Sequence, residues 1–254
     1  MSDQTSAMTP LVEAVVNGME AIFDSKIDGG CVTVEIIRKG QSELQVENDG
    51  LLPITGFIVS DNGTGFGETN RESFNTVFSD MKLKIGGKGF GRFSFLKYFG
   101  EVRVESIFQK GESLYKRTFD FGRNHDIIIN ETVRRCSEGN STGSSLYLET
   151  LRKGLFDKKV DTIARKLLEN ILVYFINDER PCPKIVVKDH VTKEEIILND
   201  LLEEKKDIQL IGGHKFVLET PVKNELFLVK VFKIYYPGGF NNLTQRIPSY
   251  PYAT

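Results

Sequence analysis

The chain has 254 residues, 40% of them hydrophobic, and a formal net charge of −2. That length fits one large or two modest domains, and the near-neutral balance makes no electrostatic case for a nucleic-acid or membrane partner. Cys31, Cys136 and Cys182 form no CxxC or Cys/His cluster, which supports neither a disulfide framework nor a zinc site and points to a reducing, cytoplasmic setting.

Residues 1–10 are polar and lack the apolar core of a signal peptide, and the longest apolar stretch, 171–176, is too short to span a bilayer. Leu11, Val15, Met19 and Ile22 recur at helical spacing and predict a helix over 11–23, capped by Thr9 with Pro10 in its first turn. Alternation of Val32, Val34 and Ile36 predicts a strand over 31–38, with further strands over 43–47 and 56–60. A short helix over 72–78 precedes a glycine- and lysine-rich loop over 79–91, and a helix over 93–99 follows. Strands are expected over 101–109, 113–121, 126–133 and 144–150. A long helix follows over 155–176, and then strands over 184–189, 215–220 and 225–236. Strands in succession with interspersed helices argue for an α+β fold whose sheet has one covered face. Pro181 and Pro183 suggest a boundary, giving a first domain over 1–178 and part of a second, β-rich domain over 179–254.

Three patches carry chemistry. Glu13 and Asn17 are four apart and share a helix face, with Glu20 one turn on. An amide oxygen there can ligate Mg²⁺, a hard cation, and a carboxylate can orient or deprotonate a water for attack on a phosphate. Alone, the pair also fits a solvated polar stripe. Asp61-Asn62-Gly63-Thr64-Gly65 ends a strand in a turn whose glycines admit close approach of a ligand, and the aspartate can accept from an exocyclic amine such as that of adenine. Alone, it also fits an ordinary Asp/Gly turn. Lys84 precedes Gly86-Gly87-Lys88-Gly89-Phe90-Gly91, a GxxGxG spacing that opens a helix, with Arg92 next. Free N–H groups and added positive charge at such a helix start suit a polyphosphate, while the missing GK[ST] ending excludes a P-loop.

In this order, ExxxN, DxGxG and GxxGxG resemble the N, G1 and G2 boxes of the GHKL ATPases, which comprise gyrase B, the ninety-kilodalton heat-shock chaperone, histidine kinases, MutL and MORC proteins. Gly143-Ser144 stands where that family has a Gly-Thr pair, with serine in place of threonine. The resemblance covers residues 10–150 and its wording is most similar to prokaryotic heat-shock-chaperone-like or MORC-like ATPases. It implies a Bergerat-type two-layer α/β sandwich with Mg²⁺ and ATP as cofactors. Glu13 would be the general base and Asn17 the Mg²⁺ ligand. Asp61 would bind the adenine amine beside Gly63, Gly65 and Ser144, and Lys84 with Gly86 to Gly91 would wrap the phosphates. It further implies slow hydrolysis that drives a conformational switch and homodimerisation, with a DNA or protein client in genome maintenance or phage defence. Relatives draw a γ-phosphate lysine from the following domain, for which Lys230, Lys233 and Arg246 are basic candidates. The competing readings are a nucleotide sensor without hydrolysis, a histidine-kinase-like domain, and a scaffold that no longer binds nucleotide. The few residues before Leu11 and the strand context of His125 argue against the kinase.

Overall fold

A computed structural model describes residues 7–25, 27–38, 51–75, 91–123, 127–136, 139–175, 180–202, 208–219 and 224–234. The strand expected over 43–47, His125 and Arg246 lie outside them, as does most of the loop over 79–91. The chain divides into two units, 1–199 and 200–254.

The first unit is an α+β layer of eight strands. Helix α1 (Met8–Ser25) leads into β1 (Cys31–Arg38) and β2 (Ile54–Asp61), and α2 (Glu68–Asn75) and α3 (Gly91–Tyr98) follow. Four antiparallel strands come next: β3 (Phe99–Lys110), β4 (Ser113–Phe121), β5 (Ile128–Arg135) and β6 (Gly143–Leu151). Helix α4 (Val160–Phe175) returns the chain to β7 (Lys184–Asp189) and the short β8 (Glu195–Ile197). The sheet order is β5-β4-β3-β6-β2-β1-β7-β8, so β6 inserts between β2 and β3. Every pairing is antiparallel except β1 with β7.

Alternation decides which face is covered. Val32, Val34 and Ile36 of β1 are buried, as are Phe57 and Val59 of β2 and Val102, Val104 and Phe108 of β3. The register puts these residues on one face, against which α1 lays Leu11, Val15, Met19 and Ile22. Phe66, Phe74, Phe95, Phe119 and Phe121 form an aromatic cluster that fastens α2 and α3 to β4. The opposite face carries paired charges, such as Lys116–Glu105 at 2.8 Å and Lys188–Glu35 at 3.0 Å, as expected of a half-solvated antiparallel sheet.

Helix α4 starts at Val160, later than the periodicity predicts. Gly154 takes φ +86°, and the Asp157 carboxylate accepts the Lys159 N–H at 2.9 Å in an Asx-turn, so the chain turns before it coils. Residues 184–197, expected in the second domain, instead extend the first sheet, because the apolar run Ile185–Val187 pairs in parallel with β1. The same pairing brings Asp189 to Arg38, an ion pair whose side chains are 0% exposed. In the second unit, β9 (Ile208–Glu219) and β10 (Asn224–Ile234) form an antiparallel hairpin. Among the described residues, no helix is long and apolar enough to cross a membrane.

Candidate functional site

The site is built where β2 ends beneath α1. Glu13, Asn17 and Glu20 form a half-buried stripe along α1. Tyr174 of α4 lies within electrostatic reach of it: burial first, then the Glu20 and Glu13 carboxylates, raise its pKa. On the neighbouring flank of α1, Gly18 meets the sheet so closely that an added Cβ would stand 3.3 Å from both Asp61 Cβ and Val32 Cγ2. Asn17 therefore directly precedes the point at which α1 touches Asp61.

The turn after Asp61 is locked from several sides. The Gly63 N–H donates to Asp61 Oδ1 at 2.8 Å, and the Thr64 N–H donates to the Ala21 carbonyl at 3.2 Å. A Cβ on Gly63 would collide with the Ala21 backbone, so glycine alone permits this approach. Gly65 has φ +75° and packs onto the Ile107 carbonyl. Asn62 points away from the site and staples the turn to the α1–β1 loop, accepting from Cys31 N at 2.7 Å and donating to Gly29 O at 3.1 Å. Gly143 and Ser144 begin β6 beside this turn, with Ser144 in register with Asp61. A cleft of about 570 Å³ opens alongside, lined in part by Thr64, Gly65, Asn70, Lys110 and Thr142.

Asp61 is the electrostatic centre. Burial raises its carboxyl pKa from 3.8 to about 6, against hydrogen bonds from the Gly63 and Ser144 backbones that lower it. Its acceptor capacity exceeds those two N–H groups, since a carboxylate offers about four lone-pair positions.

The structure thus brings Asp61, Gly63, Gly65 and Ser144 together under α1. Gly91 opens α3, while Lys84, Gly86, Gly87, Lys88, Gly89 and Phe90 lie outside the described residues. Lys230 and Lys233 stand on β10 in the other unit. Among the described residues, no three His, Cys, Asp or Glu side chains converge as a metal cluster.

No protein-family model and no curated protein matches the chain. Among solved structures, it matches the ATPase domain of Thermus thermophilus gyrase B in complex with an aminocoumarin. Identity there is 14%, with 84% of this chain and 54% of that one covered and a TM-score of 0.46. It matches the ATPase and transducer domains of Balamuthia mandrillaris DNA topoisomerase II at 12% identity, covering 74% and 47%, with a TM-score of 0.47. The third match is the ATPase region of Saccharomyces cerevisiae topoisomerase II, at 13% identity, 71% and 46% coverage and a TM-score of 0.45. The chain spans about half the length of the solved chains it matches.

Two residues at the site escape motif reading. Ser106 of β3 is 2% exposed and accepts the Phe66 N–H at 2.7 Å. Arg117 of β4 is 1% exposed; its Nη1 donates to the Phe66 and Gly67 carbonyls at 2.8 and 2.9 Å, and its Nη2 pairs with Glu68 at 2.9 Å. Its guanidinium also lies over the Phe108 ring, 4.7 Å from the centroid. Both occupy inward positions of an alternating strand, Val102-Val104-Ser106-Phe108 and Arg117-Phe119-Phe121. A polar residue at an inward strand position is the signal that finds them. Arg123 has no such signature, yet it donates to the Leu96, Phe99 and Gly100 carbonyls and so caps the end of α3.

Proposed function

We propose that this chain binds ATP with Mg²⁺ and hydrolyses it slowly. The observation that carries this reading is the convergence of Asp61, the glycine turn and Ser144 under α1, one residue from Asn17. The donor set fits the nucleotide. A desolvated carboxylate with unused acceptor capacity, titrating at about 6, is ionised near neutrality and takes an exocyclic amine. It fits the metal as well. Among the described residues no acidic cluster forms, so Mg²⁺ would take most of its oxygens from phosphates and water, and the single Asn17 amide would complete the set.

Along α1, Glu13 is five residues from Gly18, about 7.5 Å at a rise of 1.5 Å per residue. This sets the general base apart from the adenine anchor, toward the other end of a triphosphate. There Glu13 holds a water and withdraws its proton as that water attacks. Lys84, Gly86, Gly87, Lys88, Gly89, Phe90 and Gly91 cover the phosphates, with backbone N–H groups and lysine charge as the binding elements. Nucleotide binding then switches the chain to a homodimer that engages a DNA or protein client.

Calorimetric titration with Mg·ATP together with phosphate release tests this. Wild type is expected to bind and turn over. Glu13→Ala is expected to keep binding while turnover falls about 10²–10⁴-fold, the usual contribution of a general base. Absence of Mg·ATP binding by wild type overturns the reading, and unchanged turnover in Glu13→Ala removes Glu13 as the base.

A further inference from the structure

Strand register aligns Asp61 of β2, Ser144 of β6, Ser106 of β3 and Arg117 of β4 as one row across four strands, on the face that α1 covers. Within this row, three contacts converge on the buried Ser106 hydroxyl. The Phe66 N–H donates to it at 2.7 Å, it donates to the Gly143 carbonyl at 3.0 Å, and it lies 2.9 Å from Ser144 Oγ. A serine hydroxyl has one proton and two lone pairs. The Gly143 carbonyl can only accept, so it takes the Ser106 proton, and the Phe66 N–H fills one lone pair. All three contacts are hydrogen bonds only when Ser144 donates into the remaining lone pair. The Ser144 hydroxyl has then spent its proton away from the site and faces the site with lone pairs alone.

We propose that Ser106 is a positioning residue that fixes the Ser144 hydroxyl as an acceptor, so that Asp61 and Ser144 together select a ligand presenting an exocyclic amine over one presenting a carbonyl. This rests on the nucleotide reading above and deepens it by naming the residue that sets the choice between a 6-amino and a 6-oxo purine. Two acceptors side by side complement an N–H₂ group, and a carbonyl facing them is left unpaired. Arg117 supports the arrangement from the next strand by holding the Phe66 and Gly67 carbonyls, which keeps the Phe66 N–H aimed at Ser106.

The test compares binding of Mg·ATP and Mg·ITP, whose bases differ by amine against carbonyl, by calorimetry on the full chain. In Ser106→Ala the Ser144 hydroxyl is free to rotate and donate. ATP affinity is expected to fall about fivefold, the worth of one hydrogen bond, while ITP affinity holds or rises, so the ATP/ITP ratio narrows. Ser106→Cys, of similar size with a weaker donor, is expected to narrow the ratio less; it carries the test if the alanine variant does not fold. A parallel loss for both nucleotides, or an unchanged ratio, overturns the role of Ser106 while leaving the nucleotide site standing. Failure of wild type to bind Mg·ATP overturns both readings.

Discussion

Arg38 and Asp61 sit at opposite ends of the β1–β2 pair, and both place charge inside the protein. Each nitrogen of the Arg38 guanidinium has a partner: Nε donates to Asp189, Nη1 to the Leu52 carbonyl and Nη2 to the Lys158 carbonyl, each at 2.6 Å, while Asp189 Oδ1 accepts the Val191 N–H at 2.9 Å. Asp61 receives N–H groups from Gly63 and Ser144, and among the described residues no cation pairs with it. The first group ties four segments of backbone together and, with both side chains fully buried, presents nothing to a ligand. The second carries a desolvation cost that an outside donor relieves. A buried charge whose partners are all internal is architecture, and one with spare acceptor capacity has room for a ligand.

The largest effect is expected from breaking the saturated corner. Asp189→Ala strands the Arg38 guanidinium without its partner and is expected to cost about 3–5 kcal/mol in urea unfolding, with nucleotide affinity unchanged where the variant remains folded. A cost below about 1 kcal/mol would show that the Arg38 corner is not what holds these segments together.

Next comes the turn itself. Gly65→Ala forces a side chain into φ +75° and onto the Ile107 carbonyl, and is expected to cost about 1–3 kcal/mol of stability together with nucleotide affinity. Intact stability would show that the turn relaxes freely.

Asp61→Asn should separate the two regions most clearly. It removes the uncompensated carboxylate, so unfolding stability near neutral pH is expected to hold or rise, while Mg·ATP affinity falls about tenfold or more in calorimetry. The pH dependence has a definite sign. The folded pKa, about 6, lies above the ordinary 3.8, so the contribution of Asp61 to stability is present below pH 3.8 and lost as pH rises through about 6. Nucleotide affinity runs the other way: it is full above about pH 7 and falls as pH drops through 6, because a protonated carboxyl no longer accepts as well. Loss of that inflection in Asp61→Asn assigns it to Asp61; its persistence assigns it elsewhere.

The smallest effect sets the baseline. Asp161→Asn loosens the exposed Arg165–Asp161 pair, 3.0 Å apart on α4, and is expected to change unfolding stability by about 0.5 kcal/mol or less.

Much of this contrast is legible in the chain and part is not. The apolar spacing of Leu11, Val15, Met19 and Ile22 encodes a helix whose half-buried polar stripe bears Glu13 and Asn17, since four residues nearly close a turn. Asp61 to Gly65 announces its turn, because positive φ and close backbone approach require glycine locally. The end of the first unit is harder to read. Prolines at 181 and 183 look like a boundary, yet β7 joins β1 beyond them, and only the parallel pairing reveals that Asp189 neutralises Arg38.

The sequence by itself determined the helices, most strands and the chemistry of the turn, because each is encoded among neighbours a few residues apart. Only the tertiary structure decided that Asp61, Ser144, Ser106 and Arg117 stand in one row. Their strands are adjacent in the order β2-β6-β3-β4, which is not chain order, and a slip of one residue would turn any of these side chains to the opposite face. Burial of alternate apolar residues under α1, α2 and α3 pins that register, and the register makes a hydrogen-bonded site out of four distant polar residues.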